Sequence, residues 1–321
     1  MQIHSVAGRA VAFAIFVYAT QAASAPVTQG VPPREITDPK AIVSQSLPGA
    51  SPAPIDDLFY TRGGLDAAWT PDGKSIVVST NITGRYNLWT MPADGGFPLQ
   101  LTQSDDRQSG ITASPDGKWI VFQSDHGGAE IYDLYAVPAS GGAVVDLTNT
   151  AEIDEQGAAF SPDGKTISFA RRTKAESSYN IAVMDFATRK VRELTHESAK
   201  DHAWFPAAFS HDGRTILANR SNFIGTESQA FTIDVATGKA TAVTPPGKFN
   251  GATDISADGR YVALVTQTDA GNKQAALLDL HDKTVHLLKP DAWEQGAANL
   301  SPDGRTLIFS TNADGQTTLF S

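Results

Sequence analysis

Thr70-Pro71-Asp72-Gly73 and Ser114-Pro115-Asp116-Gly117 are two copies of one tetrapeptide, and four more follow along the chain. These are Ser161-Pro162-Asp163-Gly164, Ser210-His211-Asp212-Gly213, Ser256-Ala257-Asp258-Gly259 and Ser301-Pro302-Asp303-Gly304. Their aspartates stand 44, 47, 49, 46 and 45 residues apart. A unit recurring at that period marks a repeat array, in which each unit buries its apolar face against its neighbours.

The flanks of each copy are alike. A short small-or-aromatic strand precedes it, as in Ala67-Ala68-Trp69 or Ala158-Ala159-Phe160, and a β-branched run follows, as in Ile76-Val77-Val78 or Leu307-Ile308-Phe309. A third strand comes next (Asn87-Leu88-Trp89; Ile181-Ala182-Val183-Met184). A fourth then ends in Leu101-Thr102, Leu147-Thr148 or Leu194-Thr195. Four strands in about 45 residues is one propeller blade. The sequence therefore predicts an all-β fold, a β-propeller with five complete blades and a partial sixth. An open final blade leaves an unpaired edge, so the reading expects the native chain to run past Ser321 to a ring of seven or eight blades.

The turn residues have a local purpose. Proline presets φ at the second turn position, aspartate accepts nearby backbone N–H groups, and glycine takes the positive-φ position. Asp72, Gly73, Asp116, Gly117, Asp163, Gly164, Asp212, Gly213, Asp258, Gly259, Asp303 and Gly304 are accordingly expected to be structural.

Composition narrows the function classes. With 27 glycines, 18 prolines and three methionines, the chain suits short strands and turns. A net charge of −10 with no basic run argues against nucleic-acid and anionic-membrane partners. The absence of cysteine excludes disulfides, thiolate nucleophiles and cysteine metal sites. Arg9, the apolar run Ala10–Ala19 and the small residues Ala23-Ser24-Ala25 read as a secretory signal over residues 1–25. Its apolar run is too short to span a bilayer. Residues 26–54 read as a linker and 55–321 as the propeller, in a secreted or periplasmic protein.

The Ser-Pro-Asp-Gly blades resemble the TolB and WD40-like bacterial propellers from about Leu65 onward. A narrower similarity lies in Ile55–Arg62, Gly84–Trp89, Gln100–Gly110 and Asp185–Arg192. These stretches resemble the N-terminal propeller of prolyl-oligopeptidase-type (S9) serine peptidases. That resemblance implies a C-terminal α/β-hydrolase domain as partner, with the propeller shielding its active site and admitting short peptides. The alternative is a stand-alone periplasmic propeller of the TolB type that binds another protein. No Gly-x-Ser-x-Gly nucleophile elbow occurs in the chain, so no catalytic residue is assigned. The paired-glutamate motif of dipeptidyl members has no match at Asp291–Gly296, which holds one glutamate.

The remaining candidates lie in the connections from one blade's fourth strand to the next blade's first. They are Asp105, Asp106 and Arg107; Asp154 and Glu155; Asp201, His202 and Trp204; and Asp291, Trp293 and Glu294. If the blades superimpose, all four groups face a substrate or partner from one side of the ring, though solvated loop charge, with Trp204 and Trp293 packing between blades, is the simpler reading. The histidines occupy different places in their blades, so no metal site or cofactor is expected; a metal-dependent lyase is the weakest rival. Arg171, Arg172 and Lys174 read as a solvated hairpin loop, and Trp69, Trp89 and Trp119 as core.

Overall fold

The computed structural model describes residues 61–301 and 303–321. The expected signal peptide, linker and residues 55–60 of the expected propeller lie outside the described residues. Six antiparallel sheets follow one another along the chain, five of four strands and a last of three, each a simple meander. The first strands are Gly64–Trp69, Gln108–Ala113, Ile153–Phe160, His202–Phe209, Asn250–Ile255 and Gln295–Leu300. Each packs on the first strand of the next blade. These are the five complete blades and the partial sixth that the repeat predicts; the last strand, Thr318–Phe320, is the third of blade six. No comparable packing joins blade one to blade six among the described residues.

The core lies between blades. Val121, Leu134, Ala136 and Leu147 of blade two pack on Ile167, Phe169, Ala182 and Met184 of blade three. Ile181 and Leu194 meet Trp204, Ile216 and Ile233 of blade four in the same way. Second strands such as Trp119–Asp125 are therefore apolar on both faces, Val121 packing toward blade three and Ile120 and Phe122 toward blade one. Burying a phenylalanine such as Phe122 or Phe169 contributes roughly 1.5–3 kcal/mol.

The six turns share one geometry. The preceding Ser (Thr70 in blade one) donates its hydroxyl to the aspartate Oδ1 at 2.5–2.7 Å. The same oxygen accepts the backbone N–H two residues on at 3.0–3.1 Å. The glycine holds φ between +67° and +72°. Because the strands are antiparallel, these turns lie on one face of the propeller. The hairpins between second and third strands and the blade-to-blade connections lie on the other.

Candidate functional site

The four groups stand toward the connection end of their blades and form no single cluster. Asp105 is almost wholly exposed, with Arg85 3.8 Å away. Asp106 Oδ1 accepts the Gly127 N–H at 2.8 Å, and the Arg107 carbonyl accepts that of Asp125 at 3.1 Å. Asp201 pairs with His202 Nδ1 at 2.8 Å, and that bond holds its carboxyl below the usual range. Asp291 Oδ1 caps the Trp293 N–H at 2.8 Å, and the Glu294 carbonyl accepts Asn312 N–H at 3.1 Å. Trp204 is buried, its ring 4.7 Å from that of Phe231, whereas Trp293 is 42% exposed. Among the described residues no hydrogen bond or ion pair joins one of these groups to another.

Asp154 and Glu155 differ most from the loop reading. They sit inside the first strand of blade three and are buried, at 3% and 0% exposure. Arg171 and Arg172 likewise belong to the second strand, not to a solvated hairpin loop. Cross-strand pairing explains both departures, since Glu155 stands opposite Arg171 and Asp154 opposite Arg172. Arg172 Nη2 lies 3.1 Å from Asp154 Oδ2, and Tyr179 donates its hydroxyl to the same oxygen. Gln156 Nε2 reaches Asp154 Oδ1 at 3.0 Å, and the Arg172 guanidinium lies 4.5 Å over the Tyr179 ring. Burial, then the bond to Asp154, raise the Tyr179 hydroxyl pKa well above its ordinary value. Phe205 of blade four completes this shelf, 5.3 Å from Tyr179 and partly exposed.

Sequence reading missed a second pattern. The residues eight before the turn aspartates are Gln108, Glu155, Trp204, Asn250 and Gln295 from blade two onward, all buried. Their partners on the second strand are Ser124, Arg171, Arg220, Thr266 and Thr311. Counting from the turn aspartate would have found them, but the variety of residue types hid the register.

On the turn face, two shallow hollows of about 400 and 330 Å³ flank the turn of blade four, where His211 stands in the place of proline. Asp212 lines both. Among the described residues no group of three or more His, Asp or Glu side chains is placed to hold a metal ion.

The family model described as TolB beta propeller domain matches residues 62–206 and 153–321. The chain belongs to this family. A sequence relative, the Tol-Pal system protein TolB of Helicobacter hepaticus, is 27% identical over 156 residues, which are 43% of this chain and 37% of that protein. The chain thus matches well under half of that relative's length. The crystal structure of TolB from Acinetobacter baumannii has the same fold, with a TM-score of 0.56 and 24% identity over 81% of this chain and 60% of that one. A prolyl endopeptidase structure gives a TM-score of 0.61 at 12% identity, covering 81% of this chain and 42% of that one. At such identities both likenesses are of fold.

Proposed function

We propose that this chain is an exported, periplasmic propeller of the TolB kind that works by binding another protein through its connection face. The observation carrying this reading is that the TolB propeller repeat runs through both halves of the chain and that a TolB protein is among its sequence relatives. The geometry supports it. The connection face offers an exposed carboxylate at Asp105, a half-buried one at Asp106 and partly exposed aromatics at Phe205 and Trp293, fitted to a partner with basic and apolar groups.

The peptidase-shield reading has only a likeness of fold behind it. The two readings part in one experiment. The tagged chain is expressed in a Gram-negative host, recovered from the periplasm and used to capture proteins from periplasmic extract. The expected result is capture that falls at least tenfold in the Asp105→Arg/Asp106→Arg/Trp293→Ala variant. Retention in the cytoplasm, or capture indifferent to those substitutions, overturns the reading.

A further inference from the structure

The register position eight residues before each turn aspartate sits where one blade meets the next. At three of the five such joints an uncharged amide does the linking. Gln108 accepts the hydroxyl of Thr102, at the end of blade one. Asn250 donates to the Pro245 carbonyl at 3.4 Å and accepts the Thr266 hydroxyl at 2.8 Å. Gln295 accepts the Ala275 N–H at 3.0 Å and donates to the Lys289 carbonyl at 2.7 Å. An amide can do both because it carries a donor and an acceptor.

The joint of blades two and three has a carboxylic acid in this place. Glu155 is fully buried, and from blade two it meets Thr148, Thr150 and the buried Asp133. The Thr150 hydroxyl lies 3.2 Å from Glu155 Oε2. Asp133 is already engaged, its Oδ1 taking the Thr150 N–H at 3.0 Å and its Oδ2 facing His126 at 3.2 Å. From blade three the facing cation is Arg171, whose Nε lies 3.5 Å from Glu155 Oε1 and whose Nη1 is shared with Glu193 at 3.1 Å. Asp154 and Arg172 pair with each other one residue away. Neither Glu155 Oε1 nor Arg171 Nε has a hydrogen-bond partner, although both are buried.

We propose that Glu155 is a proton-operated latch: neutral, it closes the joint of blades two and three as the amides close theirs; ionised, it slackens that joint. A neutral carboxyl carries one donor and one free acceptor, as an amide does. An ionised one only accepts, and it sets a second buried negative charge beside Asp133 with one shared arginine to balance it. Burial pushes the Glu155 carboxyl up to about 7, opposed by Thr148, Arg171 and Thr150 and helped by Asp133. The sign follows. The folded chain holds this proton where the unfolded chain has lost it, so the latch contributes fully below the ordinary glutamate value. Its contribution falls away as pH rises through about 7.

The test compares the full chain with Glu155→Gln by amide hydrogen exchange at Leu134, Leu147 and Thr150, at pH 5.5 and pH 8. Using the variant at equal pH cancels the intrinsic pH dependence of exchange. The expected result is that wild-type opening, relative to the variant, grows on the order of tenfold between the two pH values. Equal ratios at both overturn the latch. If the variant does not fold, carbon-13 titration of the Glu155 carboxyl in the wild-type chain decides: a midpoint near 7 supports the proposal, and one below 5 overturns it.

Discussion

Asp254 Oδ2 accepts the backbone N–H of Leu300 at 3.0 Å, tying the first strand of blade five to that of blade six. Asp66 does the same for Ile111 at 2.8 Å between blades one and two. Each aspartate sits at a register shift in its strand pair. A bulge there re-aims the side chain toward the neighbouring blade. Its other oxygen takes the next residue's N–H, at 2.8 Å in both cases.

Removing the Asp254 carboxylate should therefore open a joint, not merely trim a surface. Asp254→Ala leaves the Leu300 N–H with no acceptor, a cost of about 1–3 kcal/mol. Asp254→Asn keeps an acceptor oxygen and should recover most of that loss. Urea unfolding midpoints of the two variants check the ranking.

The six turn aspartates should contribute to the acid limit of stability. Hydroxyl and backbone donors hold their carboxyls below the ordinary aspartate value, with Asp116 lowered to about 2, chiefly by Ser114. A lowered folded value means the unfolded chain takes up the proton first as pH falls. The turns thus contribute fully above the unfolded value of 3.8 and progressively less as pH drops toward 2. The melting temperature should fall between pH 4 and pH 2, and less steeply in Asp116→Asn/Asp163→Asn. Thermal scans across that range check this.

Two glycines with positive φ should respond differently to a methyl group. Gly164 has φ +71°, and an added Cβ would meet only the Pro115 ring at ordinary contact, so Gly164→Ala costs about 1–2 kcal/mol of backbone strain. Gly238 has φ +75°, and its Cβ would stand 3.0 Å from the Leu194 carbonyl oxygen of blade three. Backbone cannot swing aside as a side chain can, so Gly238→Ala should cost roughly 2–4 kcal/mol. Calorimetric melting of both variants tests the order.

The blades were legible because the turn tetrapeptide must be rewritten in every repeat: each turn needs its Ser or Thr, its Asp and its Gly in the same places. The two-faced burial of the second strands was legible too, from runs such as Ile120-Val121-Phe122. The burial of Asp154 and Glu155 was not. Two adjacent acids after a fourth strand look like loop charge, and only strand pairing sets Arg171 and Arg172 opposite them, 16 and 18 residues away. The joint residues were hidden for a related reason. Gln108, Glu155, Trp204, Asn250 and Gln295 share a place but not a chemistry, so no motif marks them.

Trp204, inside the first strand of blade four, and Trp293, just ahead of the first strand of blade six, should part cleanly under mutation. Trp204 is 9% exposed, packed with Ile181, Leu194 and Ile216 and tilted against Phe231. Trp204→Ala should cost about 3–5 kcal/mol through the cavity it leaves. Trp293 is 42% exposed, and its backbone makes the polar contacts of its loop, through its N–H to Asp291 and its carbonyl to Gln274. Trp293→Ala keeps those bonds and should change stability by no more than about 0.5 kcal/mol. A partner-binding face predicts that this second variant, still folded, loses capture of periplasmic protein. Denaturant curves measured beside the capture assay separate the two effects, and a Trp293→Ala variant that binds like wild type would remove that tryptophan from the interface.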